Sequence, residues 1–164
     1  MQKFKRILVP LVILALLATL IFNLLQNKQA PNATFTTIEG KKINMTDLKG
    51  KVVLVNFWAT DCVVCVSEMP DLVKTYNTYK NRGFEVIAVA MPYDPPAQVL
   101  NYATQKKLPF PVMHDGFGDI TATFGDVQAT PTAYLFDKNG KQIFYKTGAL
   151  DFTNLNQLLD KALI

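Results

Sequence analysis

The first pattern in the chain is a long apolar stretch, residues 7–25, softened only by Pro10, Thr19 and Asn23. About 19 residues of helix at 1.5 Å each span about 28 Å, close to the hydrocarbon thickness of a bilayer. Residues 26–32 are polar, carry Pro31 and read as a short linker. Two extended stretches follow at 33–38 and 42–45, with Glu39-Gly40 as the turn signal between them. After a turn at 47–50, residues 51–58 form a nearly continuous apolar run of β-branched and aromatic side chains. That is the pattern of a strand buried on both faces.

From Cys62 the rhythm becomes helical: Met69, Leu72, Val73 and Tyr76 recur at spacings of three and four. Pro70 predicts a kink, and Arg82-Gly83 ends the helix. Residues 84–91 read as a second buried strand, and Asp94-Pro95-Pro96 opens a helix running to about Lys107, with Pro in its first turn. Residues 110–113 are extended, and 119–124 form a short helix stopped by Gly125. Residues 132–136 and 142–145 make a hairpin across 137–140, whose Asn-Gly is a strong turn signal. An amphipathic helix over 150–164 closes the chain, with Leu155, Leu158, Leu159 and Leu163 on one stripe. The expected class is α/β: a central mixed sheet flanked by helices, with an N-terminal β-hairpin extension.

Charge gives the apolar run a direction. Lys3, Lys5 and Arg6 precede it and Lys28 follows, so the positive-inside rule places the N-terminus in the cytoplasm. A cleaved signal peptide has a shorter core and a small-x-small site, whereas this run ends in polar residues with no such site before Gln29-Ala30. The expectation is an uncleaved, single-pass anchor in a bacterial inner (cytoplasmic) membrane. No cysteine follows the run, which excludes a lipoprotein. Residues 1–30 then hold the cytoplasmic tip, the anchor and the start of the linker. Residues 31–164 form one extracytoplasmic domain, in a periplasmic-type compartment that permits disulfides. The formal charge of +4 resides wholly in residues 1–30, and the remainder balances 13 Lys and Arg against 13 Asp and Glu. The basic balance therefore gives no support to nucleic-acid binding.

Cys62 and Cys65 are the only cysteines. A disulfide across two residues closes a tiny loop and constrains the unfolded chain least, so it makes a poor staple and a good switch. Structural zinc wants four ligands, and the chain offers one histidine, His114, and no second pair. Cys62 falls where a buried strand ends and a helix begins. Unpaired N–H groups and the helix dipole there favour an anion, which makes Cys62 the nucleophilic thiolate. Cys65, almost one turn deeper, is placed to form the intramolecular disulfide and resolve a mixed one.

These residues carry a resemblance. Residues 50–60, Gly-Lys-Val-Val-Leu-Val-Asn-Phe-Trp-Ala-Thr, with Glu68-Met69-Pro70 after the second cysteine and Ala129-Thr130-Pro131-Thr132 later, are similar to the TlpA/ResA/CcmG-like branch of the thioredoxin superfamily. The resemblance covers roughly residues 33–164 and implies a thioredoxin-like fold and thiol-disulfide oxidoreductase activity on protein substrates. It implies no cofactor beyond the redox-active disulfide, and a transmembrane electron donor of DsbD/CcdA type. Carried over by residue, Cys62 attacks and Cys65 resolves. Pro131, after Thr130, would be cis, keeping metals off the thiols and aligning the substrate backbone. Asn56 stands where cytosolic thioredoxins carry a buried Asp, which leaves proton transfer or thiol tuning to Glu68, one turn beyond Cys65. Trp58 would be a core support or a contact surface.

Two departures bear on direction. Asp61 replaces the Trp usual before the first cysteine, and Val63-Val64 replaces more typical Pro-containing pairs. A carboxylate and apolar neighbours both disfavour a thiolate, which points to a reductant of protein disulfides, in cytochrome c maturation or similar work. Other classes remain open. The cysteines are also soft ligands for copper, with His114, Met91 and Met113 as companions, although strand methionines are usually core filler. A peroxiredoxin-like peroxidase would pair its cysteine with an arginine, and Arg82 is the only one in the domain.

Overall fold

The computed structural model describes residues 28–164, with Leu14 and Leu17 before them. The rest of the expected anchor, residues 7–25, lies outside the described residues, and among those described no helix is long and apolar enough to cross a membrane.

The strands are β1 (Thr34–Thr36), β2 (Lys42–Asn44), β3 (Val52–Trp58), β4 (Phe84–Ala90), β5 (Val112–His114), β6 (Thr132–Phe136) and β7 (Gln142–Thr147). The helices are α1 (Val63–Tyr79), α2 (Pro96–Lys106), α3 (Asp119–Thr123) and α4 (Phe152–Ala162). Five strands form one sheet in the order β5-β4-β3-β6-β7, while β1 and β2 pair as a separate antiparallel hairpin. Strands β3, β4 and β5 run parallel, whereas β6 and β7 are antiparallel to their neighbours. The sheet is mixed, as the pattern predicts.

All seven residues of β3 are buried because side chains alternate between two covered faces. Val52, Leu54 and Trp58 join one cluster with Met69 and Leu72 of α1 and Leu155 and Leu159 of α4. Val53, Val55 and Phe57 join another with Phe35 of β1, Ile120 of α3 and Phe124. The N-terminal hairpin thus serves as a lid on the second face, with Phe35 and Phe124 rings 6.2 Å apart.

Direction positions the site. Trp58, Ala90 and His114 stand side by side in register at the C-terminal end of the parallel strands. Thr132, at the start of the reversed β6, pairs with Phe57 at the same end. The cysteine segment after β3 and the Thr130-Pro131 loop before β6 therefore meet at one end of the sheet, the end where open α/β sheets bind ligands.

Pro70 lies within α1, which continues unbroken from Val63 to Tyr79. Two details depart from the sequence reading. His114, one residue beyond the extended stretch expected over 110–113, is the last residue of β5, paired with Ala90. The last helix is shorter than 150–164: Asp151 caps it by accepting the N–H groups of Thr153 and Asn154 at 2.9 and 3.1 Å.

Candidate active site

Cys62 is the N-cap of α1 and is joined to Cys65 in a disulfide, with Cα atoms 5.2 Å apart. Its backbone is still extended while the next residue is helical, so its sulfur folds over the first turn and accepts the Cys65 N–H at 3.2 Å. The two sulfurs differ in access: Cys62 is half-buried, while Cys65 is only 1% exposed and packs in the core. An incoming group meets Cys62 first. When the pair is reduced, the N-terminal N–H groups and dipole of α1 stabilise a thiolate at that position.

The rim is apolar and acidic together. Val63 is 82% exposed, Val64 43%, and Asp61 is also exposed. The Thr130–Pro131 peptide is cis and Pro131 is buried. Its carbonyl accepts the Gly148 N–H at 2.8 Å, and Thr132 Oγ1 donates to the Ala129 carbonyl at 2.7 Å. Thr130 Oγ1 lies 3.4 Å from the Tyr93 hydroxyl.

Glu68 is buried on the inner side of its helix. It is 7% exposed, with Oε2 accepting the Leu150 N–H at 3.1 Å and Oε1 buried without a partner. Burial pushes its pKa up, and the Leu150 hydrogen bond only partly opposes this. Three residues after Cys65 on one helix, it shares that residue's face. Asn56 lies on the α1 side of β3 by alternation with Leu54 and Trp58, and its Oδ1 is likewise buried and unpartnered. Trp58 is a core support: fully buried, it packs on Tyr102 with ring centroids 5.2 Å apart.

Asp94 is the residue that sequence reading missed. Read as part of a helix opening, it instead reaches back to the cysteine segment. Its carboxylate accepts both the Thr60 N–H, at 2.6 Å, and the Thr60 hydroxyl. The cause is local. Pro95 is the N-cap of α2 and Pro96 its first residue, and neither has an N–H for Asp94 to cap. The carboxylate, 2% exposed, is fully engaged by Thr60, two residues before Cys62. Asp115, also buried, has a structural task, accepting the N–H groups of Ile120 and Thr121 at the start of α3.

The companions proposed for copper are not gathered around the cysteines. His114 stands two strands away from β3, about 10 Å at the usual strand spacing, and Met91 and Met113 are core residues. Among the described residues no three His, Cys, Asp or Glu side chains are placed to share a metal ion. Arg82 follows the far end of α1, about 25 Å along the helix from Cys62, and pairs with Asp160 at 3.0 Å. It does not serve a peroxidatic cysteine here.

Comparison with known proteins agrees with this geometry. The Redoxin family profile matches residues 25–159. The thiol-disulfide oxidoreductase ResA of Bacillus thuringiensis subsp. konkukian is 42% identical over 134 residues, 82% of this chain and 76% of that one. ResA of Geobacillus thermodenitrificans is 33% identical over 172 aligned positions, 98% of both chains. The crystal structure of a thioredoxin-family thiol:disulfide interchange protein from Chlorobium tepidum superposes with a TM-score of 0.77 at 28% identity, over 85% of this chain and 98% of that one. A thioredoxin-like fold, a disulfide-forming pair at its helix N-terminus and these relatives agree: the chain belongs to the Redoxin family, as a thiol-disulfide oxidoreductase of the ResA type.

Proposed function

We propose that this protein is a membrane-tethered, extracytoplasmic reductant of protein disulfides, with Cys62 as nucleophile and Cys65 as resolving thiol. The unequal access of the two sulfurs carries the reading: Cys62 at the mouth of the site, Cys65 sealed beneath it.

In the reduced state the Cys62 thiolate attacks one sulfur of a substrate disulfide. A Cys62–substrate disulfide forms, and the other substrate sulfur leaves as a thiolate that takes up a proton. Cys65 then loses its proton, attacks Cys62 and expels the second substrate thiolate. Two electrons pass to the substrate, and the pair ends oxidised, the state of the present structure. Glu68 is the group placed to receive the Cys65 proton, because burial makes its carboxyl readier to hold one. Pro131 and Thr130 form the wall along which a substrate backbone lies.

Asp61 and the two valines act against the α1 dipole at Cys62, and a thiolate less favoured than the dipole alone would make it suits a reductant more than an oxidase. Electrons would arrive from a transmembrane donor of DsbD/CcdA type, and haem-attachment cysteines in cytochrome c maturation are the substrate class this assignment favours. The reduction potential tests the direction. A value near that of thioredoxin, about −270 mV, is expected, whereas one near the strong oxidant DsbA, about −120 mV, overturns it.

A further inference from the structure

The neutral domain is not neutral end to end. At the end of the sheet opposite Cys62, the turn from β6 to β7 gathers residues 28–30 and the entry to β3. The Gln142 N–H donates to the Lys28 carbonyl at 2.8 Å, the Ala30 N–H to Gly140 at 2.7 Å, and the Gly50 N–H to Lys138 at 2.9 Å. Lys28, Lys49, Lys138 and Lys141 therefore surround one turn. Few acids answer them. Asp137 Oδ1 accepts the N–H groups of Asn139 and Lys141, Asp47 is bound by Asn44, and Glu85 is paired with Lys51. The Lys138 ammonium donates to the Ile164 main-chain oxygen at 2.8 Å, so Lys28, Lys49 and Lys141 are the cations this face presents most freely. The disulfide end leans to the opposite sign, with Asp61, Asp119 and Asp151 exposed against Lys146.

The tether enters at the lysine end. On the reading of residues 7–25 as a membrane anchor, on which this inference rests, only three peptide steps separate the apolar run from Lys28. At about 3.5 Å each they reach about 10 Å, near the Debye length at physiological ionic strength. Because Lys28–Ala30 is hydrogen-bonded to the turn, the lysine face is held within that distance of the bilayer surface. We propose that this face rests on anionic phospholipid headgroups. Cys62 then points away from the bilayer, farther out by the length of β3, about 20 Å. The orientation favours substrates in the aqueous space, and meeting an electron donor within the membrane requires the domain to tip off the lipid.

The test is amine acylation footprinting of the full chain in nanodiscs, read by mass spectrometry. Phosphatidylcholine discs are compared with discs containing phosphatidylglycerol, with Lys74 and Lys146 as controls. Lys49, Lys138 and Lys141 should label several-fold more slowly in the anionic discs, and high salt should erase the difference while the controls stay constant. Equal labelling in both lipids overturns the proposal. Carbonate extraction from phosphatidylcholine vesicles separates the two levels: a chain that washes off refutes the anchor and this inference with it. A chain that stays but labels equally refutes the inference alone.

Discussion

Glu68 of α1 accepts the backbone N–H of Leu150 at 3.1 Å, although the two residues are 82 positions apart in the chain. The bond ties the helix that carries the cysteines to the segment that leads into α4. It leaves one carboxylate oxygen buried and bare, and burial makes the folded protein hold the Glu68 proton more readily than an exposed glutamate does.

That preference has a sign in stability. The folded-state pKa of Glu68 lies above its ordinary value of 4.5, so the folded state binds the extra proton. Stability is therefore lost as pH rises from the unfolded value through the folded one. Glu68→Gln keeps an acceptor for Leu150 but cannot ionise. In urea titrations it should gain on the wild type as pH rises above the ordinary glutamate value of 4.5. Parallel pH dependences for the two proteins would remove Glu68 from the account.

The same substitution separates a proton acceptor from a packing residue in kinetics. Resolution of a preformed Cys62 mixed disulfide should slow on the order of 10²-fold in Glu68→Gln, within the usual range for general acid–base groups. Its pH profile should lose the limb that reports the carboxyl, and Glu68→Asp should restore part of the rate. A uniform slowing with an unchanged profile would mean a structural role.

Much of this was legible in the sequence, for identifiable reasons. The unbroken apolar run of β3 reports a strand covered on both faces, and Asn139-Gly140 reports the β6–β7 turn, because each rests on neighbours within a few residues. Cys62 and Cys65 were visible as a pair for the same reason. The burial of Glu68 was not, since its cover arrives with Leu150 from the far end of the chain. Asp94 was hidden by its own context: two prolines announced a helix start, and only the folded sheet shows that its carboxylate serves Thr60 on the neighbouring strand's loop.

Asp94 and Thr60 should behave as a coupled pair. Asp94→Ala leaves the half-buried Thr60 N–H without its acceptor, a loss of about 1–3 kcal/mol in stability. Thr60→Val removes the hydroxyl alone and should cost less. A double-mutant cycle by chemical denaturation should give a coupling of about 0.5–3 kcal/mol. Additive effects would show that the contact does not hold the cysteine segment.

Leu155 of α4 is fully buried against the sheet. Leu155→Ala should destabilise the domain by about 2–5 kcal/mol in urea unfolding. Phe117, 96% exposed, is the matched contrast, and Phe117→Ala should stay within about 0.5 kcal/mol. Equal costs would contradict the assignment of the core to the α1–α4 face.

The central claim is the order of attack, and trapping measures it directly. Cys65→Ser leaves Cys62 able to attack but unable to be released, whereas Cys62→Ser removes the accessible sulfur. Expressed in cells and read by non-reducing mass spectrometry, Cys65→Ser should accumulate protein adducts through Cys62, and Cys62→Ser should carry none. Adducts on Cys65 in the Cys62→Ser variant, with none on Cys62 in the other, would contradict the account.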